Sequence, residues 1–197
     1  MTWVKVCGLS KPEDVLAAAR SGADAIGFVF YPESPRLVSV DQARELGSEF
    51  AGLKVAVTVG LGPGELLALA KEARVDAVQP YGAGAYAAAK AASLEGLKVL
   101  FPVVVRGRPD LAHLPDAAVP LLDSSELGGS GATFDWGMAR GIGRDFVLAG
   151  GLSGDNVGDA IARLHPWGVD ASSGLESAPG VKDPAKVAAF VEKAKAQ

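Results

Sequence analysis

One cysteine in 197 residues leaves no internal disulfide and no cysteine-rich zinc site. The two histidines, His113 and His165, are scattered and add no ligand cluster, so a metal site is not expected. No apolar run approaches the ~20 residues that a membrane helix needs. The stretch from Met1 to Asp14 carries charge early and lacks the hydrophobic segment of a secretory leader, which points to a cytoplasmic protein. Basic residues are also scarce: 19 Lys and Arg against 23 Asp and Glu give a net charge of −4. A nucleic-acid binder would usually show a basic stripe, so nucleic acid and membrane are both set aside as partners. What the chain has in quantity is apolar content, 49%, with 21% charged residues. That suits one sizeable core and excludes global disorder.

Short apolar runs alternate with Ala-rich amphipathic runs from end to end. Candidate strands fall at 3–7, 24–30, 54–59, 76–80, 98–105, 119–123, 145–149 and 168–172. Most of their cores are rich in Val, Ile, Leu and Phe, as buried parallel strands are. Candidate helices fall at 12–21, 40–50, 63–73, 84–94, 135–141, 153–164 and 183–195. Ser10 before Glu13, and Ser39 before Gln42, have capping-box spacing, with Pro12 in the first turn of the first helix. Gly22 and Gly52 read as helix stops. Pro109 and Pro115 in the crossover 106–118 make the fifth helix short or missing. The pattern predicts a single α/β domain over residues 1–197, a (β/α)8 barrel. An open doubly wound sheet competes, but no GxGxxG follows the first strand and eight strands in so short a chain fit closure better.

In such a barrel, chemistry gathers at the C-terminal strand ends and the loops that follow them. Alternation puts Lys5 and Cys7 on one face of the first strand, Val4 and Val6 on the other. The valines suit the helix side, so Lys5 and Cys7 turn inward, and a buried Lys5 needs an acidic partner. Cys7 is either a small buried hydrophobe or a base, if a nearby positive charge brings its thiol down from roughly 8.5. Arg36 is presented by a loop that Pro32 and Pro35 stiffen; its fork suits carboxylate or phosphate, or sits in solvent. Asp123 ends the sixth strand as a loop cap or a catalytic carboxyl. The loop 124–133, with Gly128, Gly129, Ser130 and Gly131, either lets its backbone approach a ligand or is a plain flexible connection. Gly150 and Gly151 after the seventh strand, with Ser173 and Gly174 after the eighth, free backbone N–H groups for an anion, where many barrels hold phosphate.

Taken together, these segments resemble the phosphoribosylanthranilate isomerase family of tryptophan biosynthesis, over nearly the whole chain. The likeness is carried by Lys5-Val6-Cys7-Gly8-Leu9 with Pro12-Glu13-Asp14, Gly22–Phe30, Ser34-Pro35-Arg36, Leu122-Asp123-Ser124 with Gly128–Gly131, Thr133–Trp136, Leu148–Leu152 and Val169–Asp183. The resemblance implies an Amadori rearrangement of an aminoaldose phosphate to a ketose, without metal or cofactor, by a monomer or homodimer. It implies Cys7 as general base and Asp123 as general acid, with Arg36 on the anthranilate carboxylate. Gly150, Gly151, Ser173 and Gly174 are implied to hold the phosphate. Asp170, inward by parity with Ser172, touches the sugar or pairs with Lys5, and both are counted with the substrate-binding residues.

Two segments depart from the family pattern. Gln79-Pro80-Tyr81-Gly82 stands where Gln-Leu-His-Gly is typical, and Thr58-Val59-Gly60 where Phe-Val-Asn is typical. Tyr81 is therefore expected on the anthranilate side of the pocket, or else packed beneath the following helix. Two other readings compete. One is the aminoaldose isomerase of histidine biosynthesis or a bifunctional form, which uses two carboxylates and two similar halves. The other is a catalytically silent barrel that serves as a binding module.

Overall fold

The structure, a computed structural model, describes residues 1–115, 117–125, 131 and 133–197. Eight parallel strands follow one another around a closed barrel: β1 (Trp3–Cys7), β2 (Ala25–Val29), β3 (Leu53–Val59), β4 (Ala77–Tyr81), β5 (Lys98–Val104), β6 (Val119–Asp123), β7 (Val147–Leu148) and β8 (Gly168–Ala171). Closure is made by β1, on which Lys5 stands opposite Ala25 of β2 and Asp170 of β8. Around the barrel lie α1 (Pro12–Ser21), α2 (Val40–Ser48), α3 (Pro63–Ala73), α4 (Ala85–Leu94), α5 (Val157–Leu164) and α6 (Pro184–Lys195).

The proline-bearing crossover after β5 has no helix among the described residues. The helix expected at 135–141 is only a single 3-10 turn, Trp136–Ala139. Asp135 accepts from the Gly137 N–H there, an Asx turn that competes with helix, and Gly141 with Gly143 beyond it discourages extension. A short antiparallel hairpin, β9 (Glu176–Ala178) and β10 (Val181–Lys182), follows β8 and was not foreseen.

Capping is confirmed at Ser39, whose hydroxyl accepts from Gln42 N–H while the Gln42 side chain takes the Ser39 N–H. Ser10 does not cap α1; Lys11 holds the N-cap position without a side-chain bond. Gly22 ends α1 in the left-handed region, as expected. Gly52 is not a helix stop, since Glu49 caps α2; a Cβ at Gly52 would lie 2.5 Å from the Asp24 carbonyl oxygen. Its glycine answers a close approach of backbone to backbone.

Packing divides by strand parity. Val4, Val6, Ile26, Phe28, Val78, Leu122, Leu148 and Val169 face the helices. Ala25, Val55, Ala77, Leu100, Leu121 and Val147 fill the lower barrel interior. The next inward residues up each strand therefore sit on a solid apolar floor, at the C-terminal mouth. Among the described residues, no helix is long and apolar enough to cross a membrane.

Candidate active site at the barrel mouth

Nine of the ten residues expected from sequence line one pocket: Cys7, Arg36, Tyr81, Asp123, Gly150, Gly151, Asp170, Ser173 and Gly174. The tenth, Lys5, lies beneath it. Lys5 is wholly buried, and its ammonium donates to both Asp170 oxygens at 2.9 and 3.0 Å. Gly27 opposite makes room for the cluster: a Cβ there would come 2.8 Å from Cys7 Sγ and 3.1 Å from Lys5 Cε. Burial alone would lower the Lys5 pKa, but Asp170 and Cys7 overcome it and the ammonium is held above its usual 10.5.

Cys7 Sγ points to the mouth, as alternation requires. Burial pushes its thiol up from 9.0 and Asp170 adds to the rise, with Lys5 and Lys182 opposing. The lowering expected from a nearby positive charge is thus outweighed, first by burial and then by Asp170. Ser172 donates to the Cys7 carbonyl at 3.1 Å and anchors the end of β1.

Asp123 faces Cys7's pocket from β6. Its Oδ2 accepts from the Tyr81 hydroxyl at 3.2 Å, and its Oδ1 from Ser125 N–H at 3.3 Å and from the Ser124 hydroxyl at 3.4 Å. Burial raises the Asp123 carboxyl above 3.8; Ser125 N–H and Tyr81 pull it back, and Asp170 pushes it further up. Tyr81 does not pack beneath α4. Its ring joins Cys7 and Val57 inside the barrel, and its hydroxyl accepts from Gln79 Nε2 at 2.8 Å. Burial, then Asp123 and Asp170, keep that phenol neutral well above its usual 10.0.

Arg36 is reached by a carboxylate that sequence reading did not select. Its Nε and Nη2 donate to Glu176 of β9 at 2.6 and 2.8 Å. Lys182 of β10 donates to the same Glu176 at 2.7 Å and to the Ser172 carbonyl at 3.0 Å. Burial works to raise Glu176, but Arg36 and Lys182 together hold its carboxyl below the usual 4.5. A guanidinium has five N–H donors, and among the described residues Glu176 takes two of them, which leaves three for a ligand.

At the other side of the mouth, Gly150 and Gly151 both take positive φ, 82° and 63°. Gly174 passes so near the preceding loop that a Cβ would lie 2.1 Å from the Leu152 carbonyl oxygen. Asn156 braces this loop, donating to the Gly151 carbonyl at 3.0 Å and accepting from Ser153 N–H at 2.9 Å. Gly128, Gly129 and Ser130 lie outside the described residues.

Sequence reading missed Gln79, Glu176 and Lys182. Gln79 was within reach, since it shares parity with Tyr81. Glu176 and Lys182 lie in the Val169–Asp183 segment that carries the family likeness, but no local pattern assigns them a role, because they leave the barrel on the hairpin and fold back. Among the described residues, no group of three or more His, Cys, Asp or Glu could hold a metal ion.

Known proteins resemble this chain over nearly its full length. A family model described as N-(5′-phosphoribosyl)anthranilate (PRA) isomerase matches residues 4–193. The N-(5′-phosphoribosyl)anthranilate isomerase of Rubrobacter xylanophilus is 42% identical over 205 residues, covering 99% of this chain and 100% of the relative. The crystal structure of phosphoribosyl anthranilate isomerase from Thermus thermophilus superposes with a TM-score of 0.90 at 32% identity, covering 99% of each chain. A solved phosphoribosyl anthranilate isomerase in complex with reduced 1-(o-carboxyphenylamino)-1-deoxyribulose 5-phosphate gives 0.83 at 34% identity, covering 100% of both.

Proposed function

The chain belongs to the N-(5′-phosphoribosyl)anthranilate isomerase family, and on that premise we propose that Cys7 and Asp123 carry the reaction's proton transfers. The reaction is the Amadori rearrangement of N-(5′-phosphoribosyl)anthranilate to 1-(2-carboxyphenylamino)-1-deoxyribulose 5-phosphate in tryptophan biosynthesis. The observation that supports the assignment is the placement of Cys7 and Asp123 in one pocket, on strands β1 and β6.

Asp123 protonates the furanose ring oxygen as its bond to C1′ breaks, and the nitrogen lone pair forms the Schiff base. Cys7 then takes the C2′ proton, and the electron pair moves to give an enolamine that tautomerises to the ketone. Asp123 must hold a proton and Cys7 must lack one. In the resting site the preference runs the other way, because the thiol's pKa is raised from 9.0 and the carboxyl's from only 3.8. Over the range between the two ionisations the pair shares one proton, mostly on Cys7. The reactive arrangement is a minority tautomer of that same species. Activity is therefore flat across the window, falls at the acid end as Asp123 also takes a proton, and falls at the alkaline end as Cys7 loses its own.

Lys5, held by Asp170, supplies the positive charge beside the sulfur once a thiolate forms. Arg36 offers its remaining donors to the anthranilate carboxylate. The glycine loops after β7 and β8 cradle the phosphate, with Asp170 and Gln79 toward the sugar between the two ends. Cytoplasmic placement, and action as a monomer or homodimer, belong to the same reading.

Turnover followed by anthranilate fluorescence, beside the aminoaldose substrate of histidine biosynthesis, tests this function. Turnover of the first alone is expected. Turnover of the second alone supports the histidine-pathway reading, and of neither the silent barrel.

A further inference from the structure

The hydroxyl of Tyr81 lies 3.2 Å from the Asp123 carboxylate across the barrel, although 42 residues separate the two in sequence. We propose that Tyr81 is a positioning residue that holds the Asp123 carboxyl by one oxygen, and that Gln79 sets the direction of the phenol's proton. The inference rests on Asp123 being the acid.

A phenol has one proton to donate. Gln79 Nε2, at 2.8 Å, occupies an acceptor position on the Tyr81 oxygen and leaves its proton for Asp123 Oδ2. Alternation on β4 brings Gln79 and Tyr81 to the inner face together, with Pro80 outward. Pro80 fixes the backbone between them at φ near −65°. The ring is 4% exposed and lies against Cys7 and Val57, with Val29 and Val59 beside it, so the hydroxyl has little room to move. Asp123 is thus held at both oxygens, Oδ1 by Ser125 N–H and Oδ2 by Tyr81, and its carboxyl plane is fixed before substrate arrives.

The same bond opposes burial. A donor to a carboxylate favours the charged form, whereas desolvation favours the acid. Tyr81 therefore sets how the shared proton divides between Cys7 and Asp123. Among the described residues, the titratable groups that line the pocket with Tyr81 and Asp123 are Cys7, Tyr31, Arg36 and Asp170, with Lys5 beneath and Lys182 acting on Cys7. The neighbouring strands bring Val104 opposite Asp123 and Ala149 beside it, which are apolar. The residue typical of the family at this position is histidine, which titrates near roughly 6.5, whereas a phenol donates without adding an ionisation near neutral pH. Gln79 also lines the pocket, and its buried Oε1 has no hydrogen-bond partner among the described residues. A substrate O–H is the donor that oxygen lacks, so Gln79 links the bound sugar to the hydrogen-bond chain of the acid.

Tyr81→Phe keeps the ring and removes the hydroxyl. The acid limb of its kcat/KM profile is expected to move up by about one pH unit, with KM at neutral pH changed by no more than about twofold. In protein carrying 13C-labelled aspartate, the Asp123 carboxyl should titrate higher by a similar amount without substrate. A folded Tyr81→Phe with both readouts unmoved overturns the proposal, while an inactive Asp123→Asn measured alongside would leave the acid assignment standing. Asp123→Asn at close to the parental rate would overturn that assignment and remove the ground for the proposal.

Discussion

Glu176 grips the guanidinium of Arg36 from the side, Oε1 to Nε at 2.6 Å and Oε2 to Nη2 at 2.8 Å, across 140 residues of sequence. The carboxylate is itself pinned by Lys182, so the hairpin after β8 decides where the arginine of the β2–α2 loop points. Gly180, at the tip of that hairpin, lies so near Pro35 that a Cβ would stand 2.4 Å from its carbonyl oxygen.

Glu176→Gln keeps the size of the side chain and loses the charge that fixes Arg36. Its KM should rise about tenfold with a smaller change in kcat, the signature of weakened substrate binding. Steady-state kinetics would show this, and an unchanged KM would leave the clasp a folding role alone. Because the folded Glu176 carboxyl is held below its usual 4.5, the clasp's contribution to stability is complete above that pH. It fades as pH falls through the lower folded value.

Cys7→Ala removes the proposed base and little volume. A fall in kcat of about 10² or more is expected, with KM nearly unchanged. If the alanine variant turns over near the parental rate, Cys7 is only part of the packed rim with Val57 and Tyr81.

Asp170→Asn would leave the Lys5 ammonium buried without a counter-charge. The loss should be about 3–5 kcal/mol, a fall in Tm of roughly 10 °C. Lys5→Met combined with Asp170→Leu should recover much of that stability while remaining inactive. Thermal melts separate the two, and a single variant as stable as the parent would contradict the buried pair. The raised Lys5 pKa adds a pH signature: its contribution is complete below 10.5 and is lost as pH climbs through the higher folded value.

Gly174→Ala forces a Cβ against the Leu152 carbonyl and parts the loops after β7 and β8. Inhibition by inorganic phosphate should weaken about tenfold, equivalent to roughly 1.4 kcal/mol, if those loops hold the substrate's phosphate. Equal inhibition of variant and parent would place the phosphate elsewhere.

Local rules were enough for much of this molecule. Alternation alone turned Lys5, Cys7 and Asp170 inward, because a strand's side chains can only alternate and the valines between them suit the helix side. The apolar runs and the prolines after β5 marked the barrel and its bare crossover, since each strand must bury both faces. Other features depended on segments distant in sequence. Locally Gly52 has the place of a helix stop, whereas the Asp24 backbone beside it is what requires glycine, and 135–141 has a helical pattern that the Asp135 side chain breaks. Sequence offers Tyr81 either the anthranilate side of the pocket or a place beneath the following helix, and only the closed barrel sets its hydroxyl on Asp123. Whether the Cys7 thiol rises or falls depends first on how deeply the closed barrel buries it, and then on the balance of Lys5 against Asp170 beside it. The order of elements and the inward face of each strand follow from nearest-neighbour stereochemistry, which sequence carries directly. The partner and protonation preference of each inward group follow from desolvation and charge summed over strands that only closure brings together.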